Sequence, residues 1–120
     1  MMANLKDTYY YIYVLVSLKD NKKYTGYTKD LPSRFEAHQN GKVPSTKHRR
    51  PLKLIYFEAC LDQKDALKRE KYLKTHYGKM FLKNRLKSYL SSGNEDFPQD
   101  FTGQENNSNN QKDHKENNNE

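Results

Sequence analysis

The stretch from Tyr9 to Asp30, YYYIYVLVSLKDNKKYTGYTKD, constrains the fold more than any other part of this 120-residue chain. From Thr8 to Leu18, apolar and aromatic side chains occupy both alternating rows, which is typical of a strand covered on both faces. Such a strand belongs in the middle of a sheet. The polar break KDNK then predicts a hairpin whose second strand runs from Lys23 to Tyr27.

Two tyrosines and a glycine of this hairpin are expected to share one face of the sheet. If the loop holds an even number of residues, opposed positions sum to an odd number, so Tyr13 and Tyr24 lie on the same face. Gly26 lies on that face too, and a glycine within a strand lets another group approach the backbone closely. Most of the 10 tyrosines need only a packing role, and Tyr13 and Tyr24 become candidates for a site if they share that face.

The remaining elements follow from capping signals and periodicity. TKDLPSRFEAHQNG predicts a helix with Asp30 as its N-cap, Pro32 in its first turn and Gly41 at its end. A third strand is predicted over Leu52 to Ala59, a second helix over DQKDALKREKYLK after Asp62, and a third over GKMFLKNRLKSYL. The order ββαβαα predicts an α+β fold with a small, mainly antiparallel sheet.

Charge divides the chain into two parts. Residues 1–90 carry 20 basic and 8 acidic side chains, a net charge of +12, and are predicted to form the single folded domain. Residues 91–120 carry two basic and seven acidic side chains, a net charge of −5, and their Asn-rich composition predicts a disordered tail. The large positive charge of the domain favours nucleic acid over a membrane surface as its partner.

The sequence also predicts where the chain is found. It has no apolar run near the roughly 20 residues that span a membrane, and its first residues lack the apolar core of a signal peptide. A single cysteine, Cys60, excludes an internal disulfide and a multi-cysteine zinc site. We therefore expect a cytoplasmic protein that makes no membrane contact.

Glu70 is the most informative candidate for chemistry. It lies within or beside the apolar stripe that Ala66, Leu67 and Leu73 define on the second helix. A carboxylate on the core side is costly unless it is paired, hydrogen-bonded or bound to a metal. Spacing alone favours an ion pair with a lysine or arginine, and the functional alternative is a hard cation such as Mg²⁺.

Basic side chains supply the other candidates. Arg34 and His38 are four residues apart on the first helix, where they either contact a phosphate side by side or are simply solvated. The loop that follows is either a phosphate-contacting patch or a solvated segment. Its candidate nucleic-acid-binding residues are Lys47, His48, Arg49, Arg50 and Lys53.

Taken in order, these residues resemble the GIY-YIG nuclease domain. The resemblance rests on the motifs YIY, ending at Tyr13, and YTG, ending at Gly26, followed by Arg34, His38 and Glu70. It includes the segment STKHRRP, which lies between His38 and Glu70, and the segment ALKREKYLK, which contains Glu70. It covers roughly residues 8–90. More narrowly, the chain is similar to small stand-alone bacterial GIY-YIG proteins related to the N-terminal domain of the excision-repair nuclease UvrC.

The resemblance implies a fold, an activity and a set of site residues. The fold is a three-stranded antiparallel sheet flanked by helices, and the activity is metal-dependent hydrolysis of nucleic-acid phosphodiesters. The implied catalytic residues are Tyr13, Tyr24, Arg34, His38 and Glu70. Glu70 would hold a single divalent ion, Mg²⁺ or Mn²⁺, and Asn84 is the candidate for an asparagine that assists many relatives.

These implications lead to one functional prediction and one rival. The prediction is an endonuclease that cuts DNA, in repair or recombination, with Arg34 offsetting charge on the phosphate and Tyr24, with His38, orienting or deprotonating water. The rival is a nucleic-acid-binding module of the same fold that cuts poorly or not at all. RNA as substrate, a protein partner and the oligomeric state stay open, because phosphate contacts carry no sequence information.

Overall fold

A computed structural model of the chain describes residues 7–92, and it has the α+β architecture that the sequence predicts. Its elements are β1 (Tyr10–Ser17), β2 (Lys23–Thr28), α1 (Leu31–Gln39), a 3-10 turn (Lys47–Arg49), β3 (Leu52–Cys60), α2 (Gln63–Leu73), α3 (His76–Arg85) and α4 (Lys87–Ser91). The strands form one antiparallel sheet in the order β2-β1-β3, which confirms that the first strand is central. The predicted tail, apart from Ser91 and Ser92, lies outside the described residues.

The hairpin register agrees with the expected parity. Tyr13 opposes Gly26 and Leu15 opposes Tyr24, so the two tyrosines and the glycine lie on one face, here named the Tyr13 face. The backbone N–H of Ser17 donates to the carbonyl of Lys22 at 3.0 Å, so the loop holds residues 18–21, an even number.

Both faces of β1 are buried, as its apolar rows require. On the Tyr13 face, the buried side chains of Tyr13, Leu15, Leu31 and Leu52 form one cluster, which includes the start of α1. The partly buried side chains that pack against this cluster are Tyr11, Tyr24, Phe35 and Leu54. The helix α1 is therefore held on the face that carries Tyr13.

The ends of α1 lie where its capping residues predict. Asp30 is the N-cap, and its carboxylate accepts a hydrogen bond from the Ser33 N–H at 3.2 Å. Gly41, just beyond the C-cap, has a φ of +77°, in the left-handed region that glycine adopts without strain. A Cβ there would also lie 2.8 Å from the guanidinium carbon of the exposed Arg50, whose side chain can shift, so the positive φ is the reason that this position favours glycine.

The opposite side of the sheet, here named the Ile12 face, meets α2. Tyr27 and Glu58 flank Ile12 on the two neighbouring strands. Arg69 donates two hydrogen bonds to the Glu58 carboxylate, at 2.9 and 3.0 Å. Gln63 donates to the Tyr27 hydroxyl at 3.0 Å. These contacts hold the part of α2 that ends at Glu70 across the Ile12 face.

The chain divides into two compact units, and the second begins at Lys71, inside α2. In this unit Thr75 caps α3 by accepting a hydrogen bond from the Gly78 N–H at 3.1 Å, so the helix begins at His76, two residues before the prediction. The prediction of one unbroken third helix is wrong. Leu86 has φ −104° and ψ 19°, outside helical values, and separates α3 from α4. A leucine carries no helix-breaking chemistry, so this break has no signal in the sequence.

None of the helices within residues 7–92 is long and apolar enough to cross a bilayer.

Candidate active site

The centre of the candidate site is the phenol of Tyr13, which is only 1% exposed. Its ring lies over the opposing residue of β2, Gly26. A Cβ at position 26 would lie 2.5 Å from the Tyr13 Cζ, a separation that real Cβ atoms do not reach. Glycine is therefore required at position 26 because the phenol occupies the space of a side chain.

His38 holds this phenol from α1. Its Nε2 lies 2.8 Å from the Tyr13 hydroxyl, and its Nδ1 lies 2.7 Å from Oγ1 of Thr46. The imidazole and Thr46 are both fully buried. Burial, and secondarily the positive charge of Arg34, lowers the pKa of His38 to about 4. A neutral imidazole has one donor and one acceptor nitrogen. Both nitrogens of His38 are therefore used in the buried hydrogen-bonded chain that links Tyr13, His38 and Thr46.

This geometry corrects one interpretation of the sequence. Spacing on α1 allows the His38 imidazole to contact a phosphate beside Arg34, but a fully buried ring with both nitrogens engaged does not fit a direct phosphate contact. Thr46, the far end of the buried chain, was not predicted from the sequence. No periodic pattern marks Thr46, because it lies in the irregular loop between α1 and β3.

Tyr24 and Arg34 complete the group on the solvent side. The half-buried ring of Tyr24 has its centroid 5.1 Å from that of His38 and 6.3 Å from that of Tyr13. Arg34 is exposed, and its interaction with the Tyr13 phenol, and more weakly with Tyr24, raises the pKa of the guanidinium. The structure thus brings together Tyr13, Tyr24, Arg34 and His38.

The two phenols differ in what they can do. Burial raises the pKa of Tyr13 to about 12, although the interaction with Arg34 opposes the rise. The Tyr13 phenol is therefore a poor base near neutral pH, and its buried position suits it to hold neighbouring side chains in place. Tyr24 is the phenol that water can reach, and the exposed Arg34 is the group that an anion can reach.

Glu70 is half-buried on α2, a helix whose contacts through Gln63 and Arg69 lie on the Ile12 face, opposite the face that carries Tyr13. Ala66, four residues before it, and Leu73, three residues after it, are fully buried, whereas Leu67 is 40% exposed and lies outside the buried stripe. In residues 7–92 no group of three or more His, Cys, Asp or Glu side chains is placed to hold a metal. The one carboxylate of Glu70 fits a hard divalent ion that keeps most of its ligands as water. Asn84 lies exposed on α3 in the second unit.

The basic loop is more ordered than a solvated segment. Arg49 donates to the Asp20 carboxylate at 3.2 Å, so part of its charge is offset within the fold. Arg50 donates to the carbonyls of Lys47 and Gln39 at 2.9 and 3.3 Å, which fixes its guanidinium. Lys53 is exposed on β3.

An open groove of about 600 Å³ lies beside this loop. It is lined by Lys19, Gln39, Lys47, His48, Arg50 and Pro51. Among residues 7–92 no carboxylate lines it, and Lys19 is held in place because its Nζ donates to the His48 carbonyl at 3.1 Å. Lys19 was not predicted from the sequence, because it comes from the β1–β2 hairpin and is distant in sequence from the basic loop.

The order of these elements and motifs can be compared with known proteins. The GIY-YIG catalytic domain matches residues 9–87. The chain belongs to the GIY-YIG family. In this GIY-YIG domain the motifs YIY and YTG lie on the neighbouring strands β1 and β2, and the tyrosine of the first opposes the glycine of the second. The family is a nuclease family whose members generally use a divalent metal ion, so nucleic acid is the substrate class.

Curated relatives are similar over the same part of the chain. A UPF0213 protein of Staphylococcus saprophyticus is 46% identical over 67 residues, which are 55% of this chain and 80% of the relative. The UPF0213 protein YazA of Bacillus subtilis is 39% identical over 69 residues, 57% of this chain and 70% of the relative. A UPF0213 protein of Clostridium perfringens is 43% identical over 65 residues, 53% of this chain and 69% of the relative. No solved structure gives a significant match to the chain.

Proposed function

We propose that this GIY-YIG protein is a metal-dependent endonuclease that hydrolyses phosphodiester bonds in DNA. The observation that carries the proposal is the contiguous group formed by Tyr13, His38 and Tyr24, with Arg34 on its solvent side. Position 26 is a glycine because the buried Tyr13 phenol occupies the space of a side chain there, and the neutral His38 imidazole holds that phenol. The packing of an apolar core alone does not need this arrangement. In a nuclease family this supports a reaction centre.

Arg34 is the group proposed to bind the scissile phosphate. Its guanidinium is exposed, and it presents paired donors that match two phosphate oxygens. As the reaction proceeds, negative charge grows on the phosphate, and a fixed positive group beside it lowers the barrier. Losing such a group typically costs about 10²- to 10³-fold in rate.

Tyr24 is proposed to orient the attacking water and to accept its proton. It is the more exposed of the two phenols, and Arg34 beside it is placed to stabilise the phenolate, the form of Tyr24 that can accept a proton from water. Tyr13, whose pKa is about 12, is proposed as a support for Tyr24 and Arg34 rather than as a base. His38 and Thr46 act through Tyr13, so both are positioning residues.

Glu70 is proposed to hold the divalent ion. Its carboxylate is the hard oxygen donor that Mg²⁺ or Mn²⁺ prefers, and its half-buried position leaves solvent access for the water ligands that such an ion keeps. When bound, the ion would supply Lewis-acid stabilisation of charge on the phosphate and the leaving oxygen.

A cleavage assay tests the proposal. Labelled single-stranded, duplex, flap and branched DNA, and an RNA of matched sequence, are incubated with the protein in Mg²⁺, Mn²⁺ or EDTA. The variant is Glu70→Ala, and the matched control is Glu36→Ala, which removes an exposed carboxylate of α1. We expect metal-dependent cutting of DNA that Glu70→Ala abolishes and Glu36→Ala keeps, while both variants still bind.

The alternative is a binding module that does not cut. The +12 charge of residues 1–90 and the groove lined by Lys19, Lys47 and Arg50 favour tight binding with or without catalysis. Binding without cutting on every substrate, with Glu70→Ala identical to wild type, would select this alternative. Cutting of the RNA alone would keep the enzyme and replace its substrate.

A further inference from the structure

Next to the candidate site, the Tyr13 face carries an aromatic surface that the catalytic proposal does not use. Phe57 of β3 opposes Tyr13 directly, so its side chain lies beside the buried phenol on the same face. Phe57 is 51% exposed. The ring of Tyr11 meets it edge to face, with centroids 6.1 Å apart and an interplanar angle of 63°. Ala59, which opposes Tyr11, is exposed as well.

This surface is separate from the packed interior. The apolar cluster on the Tyr13 face includes Tyr11 and Tyr13, but Phe57 is not among its members. Single exposed apolar side chains are common and need no explanation. Phe57 differs from these because it adjoins the candidate site and because the ring of Tyr11 packs against it.

The spacing between this surface and the reactive group is small. Phe57 lies one strand from Tyr13 and two strands from Tyr24, which stands on β2. Neighbouring strands are about 4.8 Å apart, so the Phe57 ring is roughly 10 Å from the strand that carries Tyr24. A group bound on Phe57 is therefore within a nucleotide or two of a phosphate bound by Arg34.

We propose that Phe57 and Tyr11 form a stacking platform for one unpaired nucleobase of the strand that is bound at the active site. The inference rests on the proposed function and extends it to the substrate class, nucleic acid with an unpaired base close to the scissile bond. The positive charge of residues 1–90 and the exposed Arg34 favour a polyanion over a neutral apolar partner on this face.

The chemistry of stacking explains the preference. Every nucleobase has a flat π-face, so a protein aromatic ring binds it with little dependence on sequence. In a duplex both faces of a base are already stacked, and exposing one requires unpairing and unstacking. A single strand, a flap or a mismatched base meets Phe57 without that cost, so the platform selects structure rather than sequence.

Binding without metal tests the platform separately from cleavage. Affinity is measured in EDTA by fluorescence anisotropy for a single-stranded oligonucleotide and for a blunt duplex. The variants are Phe57→Ala, Phe57→Leu and Phe57→Trp, and the control is Tyr77→Ala, which removes an aromatic side chain that is 72% exposed on α3. Thermal unfolding checks that each variant folds, which we expect because Phe57 is half in solvent.

A stacking platform predicts a specific pattern. Phe57→Ala weakens single-strand binding by about 5-fold to about 150-fold, the range for losing one stacked base, and leaves duplex binding within about 2-fold. Phe57→Leu behaves like alanine because it keeps apolar area but has no π-face, whereas Phe57→Trp restores binding. With 2-aminopurine placed at successive positions, one position loses fluorescence in wild type and not in Phe57→Ala.

Three results would overturn the inference: equal loss on single strand and duplex, wild-type affinity in Phe57→Leu, or a change of oligomeric state in Phe57→Ala. The last would make the surface a contact between copies of this chain. Failure of the catalytic proposal gives a different result, because an uncut substrate can still show the single-strand preference and its loss in Phe57→Ala.

Discussion

At the scale of single residues, the space above Gly26 controls the position of the Tyr13 phenol. Gly26→Ala adds one methyl group where the Tyr13 ring already lies, so we expect the ring to move and its contact with His38 to break. Overpacking of this kind costs about 1–3 kcal/mol of unfolding free energy. Chemical denaturation measures the loss.

A second variant makes this prediction specific. Tyr13→Phe removes the hydroxyl oxygen, one of the atoms that the new methyl group meets, so the double variant should lose less stability than the sum of the two single variants. Additive losses would mean that the methyl group at position 26 acts on something other than the Tyr13 phenol.

Titration of His38 is the second prediction at this scale. Burial lowers the pKa of His38 to about 4, below the ordinary value of 6.5, so between these values the unfolded chain binds a proton that the folded chain does not. The contribution of the neutral His38 to the unfolding free energy should therefore be fully present above pH 6.5 and should be lost as the pH falls toward 4. At about 1.4 kcal/mol for each pH unit, the loss is roughly 3 kcal/mol.

Stability curves at stepped pH, with NMR titration of the imidazole C–H signals, measure this effect. His38→Gln should lack the decline between pH 6.5 and 4, whereas the matched control His48→Gln, at an exposed position of the 3-10 turn, should keep it. A His38 signal that titrates near the ordinary value of 6.5 would contradict the buried, neutral ring.

At the scale of elements, the N-cap of α1 fixes the helix that carries Arg34 and His38. Asp30→Ala removes the acceptor for the Ser33 N–H and should lower the unfolding free energy by about 0.5–2 kcal/mol. Asp30→Asn, an equally good cap, is the control and should be nearly neutral. Urea unfolding distinguishes the two, and equal losses would show that charge rather than capping explains the effect.

The elements were predictable where local chemistry determines them. The two apolar rows of β1 and the capping signals of α1 depend on neighbours in sequence, and both predictions are confirmed. The loop meets the condition of an even length on which the shared face of Tyr13 and Tyr24 depended. The break at Leu86 is a different case, because helix propensity alone favours continuation and nothing in the residue types opposes it.

The sequence predicted which of the candidate residues lie near one another, but not how deeply each side chain is buried. Register on β1 and β2 predicted that Tyr13 and Tyr24 share a face. Helix spacing predicted that His38 and Arg34 lie side by side on α1, yet His38 is fully buried and Arg34 is exposed. That difference depends on Thr46, which reaches the ring from an irregular loop, so no local pattern could reveal it.

At the scale of the whole molecule, the placement of charge predicts how binding responds to salt. Each phosphate that the protein neutralises in a duplex adds about 0.9 to the slope of log affinity against log salt. Lys19→Ala and Lys47→Ala each remove a cation that lines the groove, so each should reduce the slope by about that amount. Arg49→Ala is the control, because Asp20 already offsets part of its charge.

Anisotropy titrations at four or five salt concentrations give these slopes. A flat response to Lys19→Ala and Lys47→Ala, with a large response to Arg49→Ala, would move the phosphate contacts from the two lysines to Arg49.

The opposite charge of the C-terminal residues gives a second prediction at this scale. Residues 93–120 carry a net charge of −5 and the residues before them +12, so the acidic segment should compete with DNA for the basic surface. Truncation after Ser92, which keeps all of α4, should tighten DNA binding at low salt. The gain should vanish near 1 M salt, where the screening length falls to about 3 Å.

A full-length control variant separates charge from length. Replacing the seven acidic residues of that segment with their amides keeps its length and removes its negative charge, and it should tighten binding as much as truncation does. If only truncation tightens binding, the segment acts by occupying space. If neither does, the basic surface binds DNA without competition from the acidic segment, and the division of charge along the chain has no role in affinity.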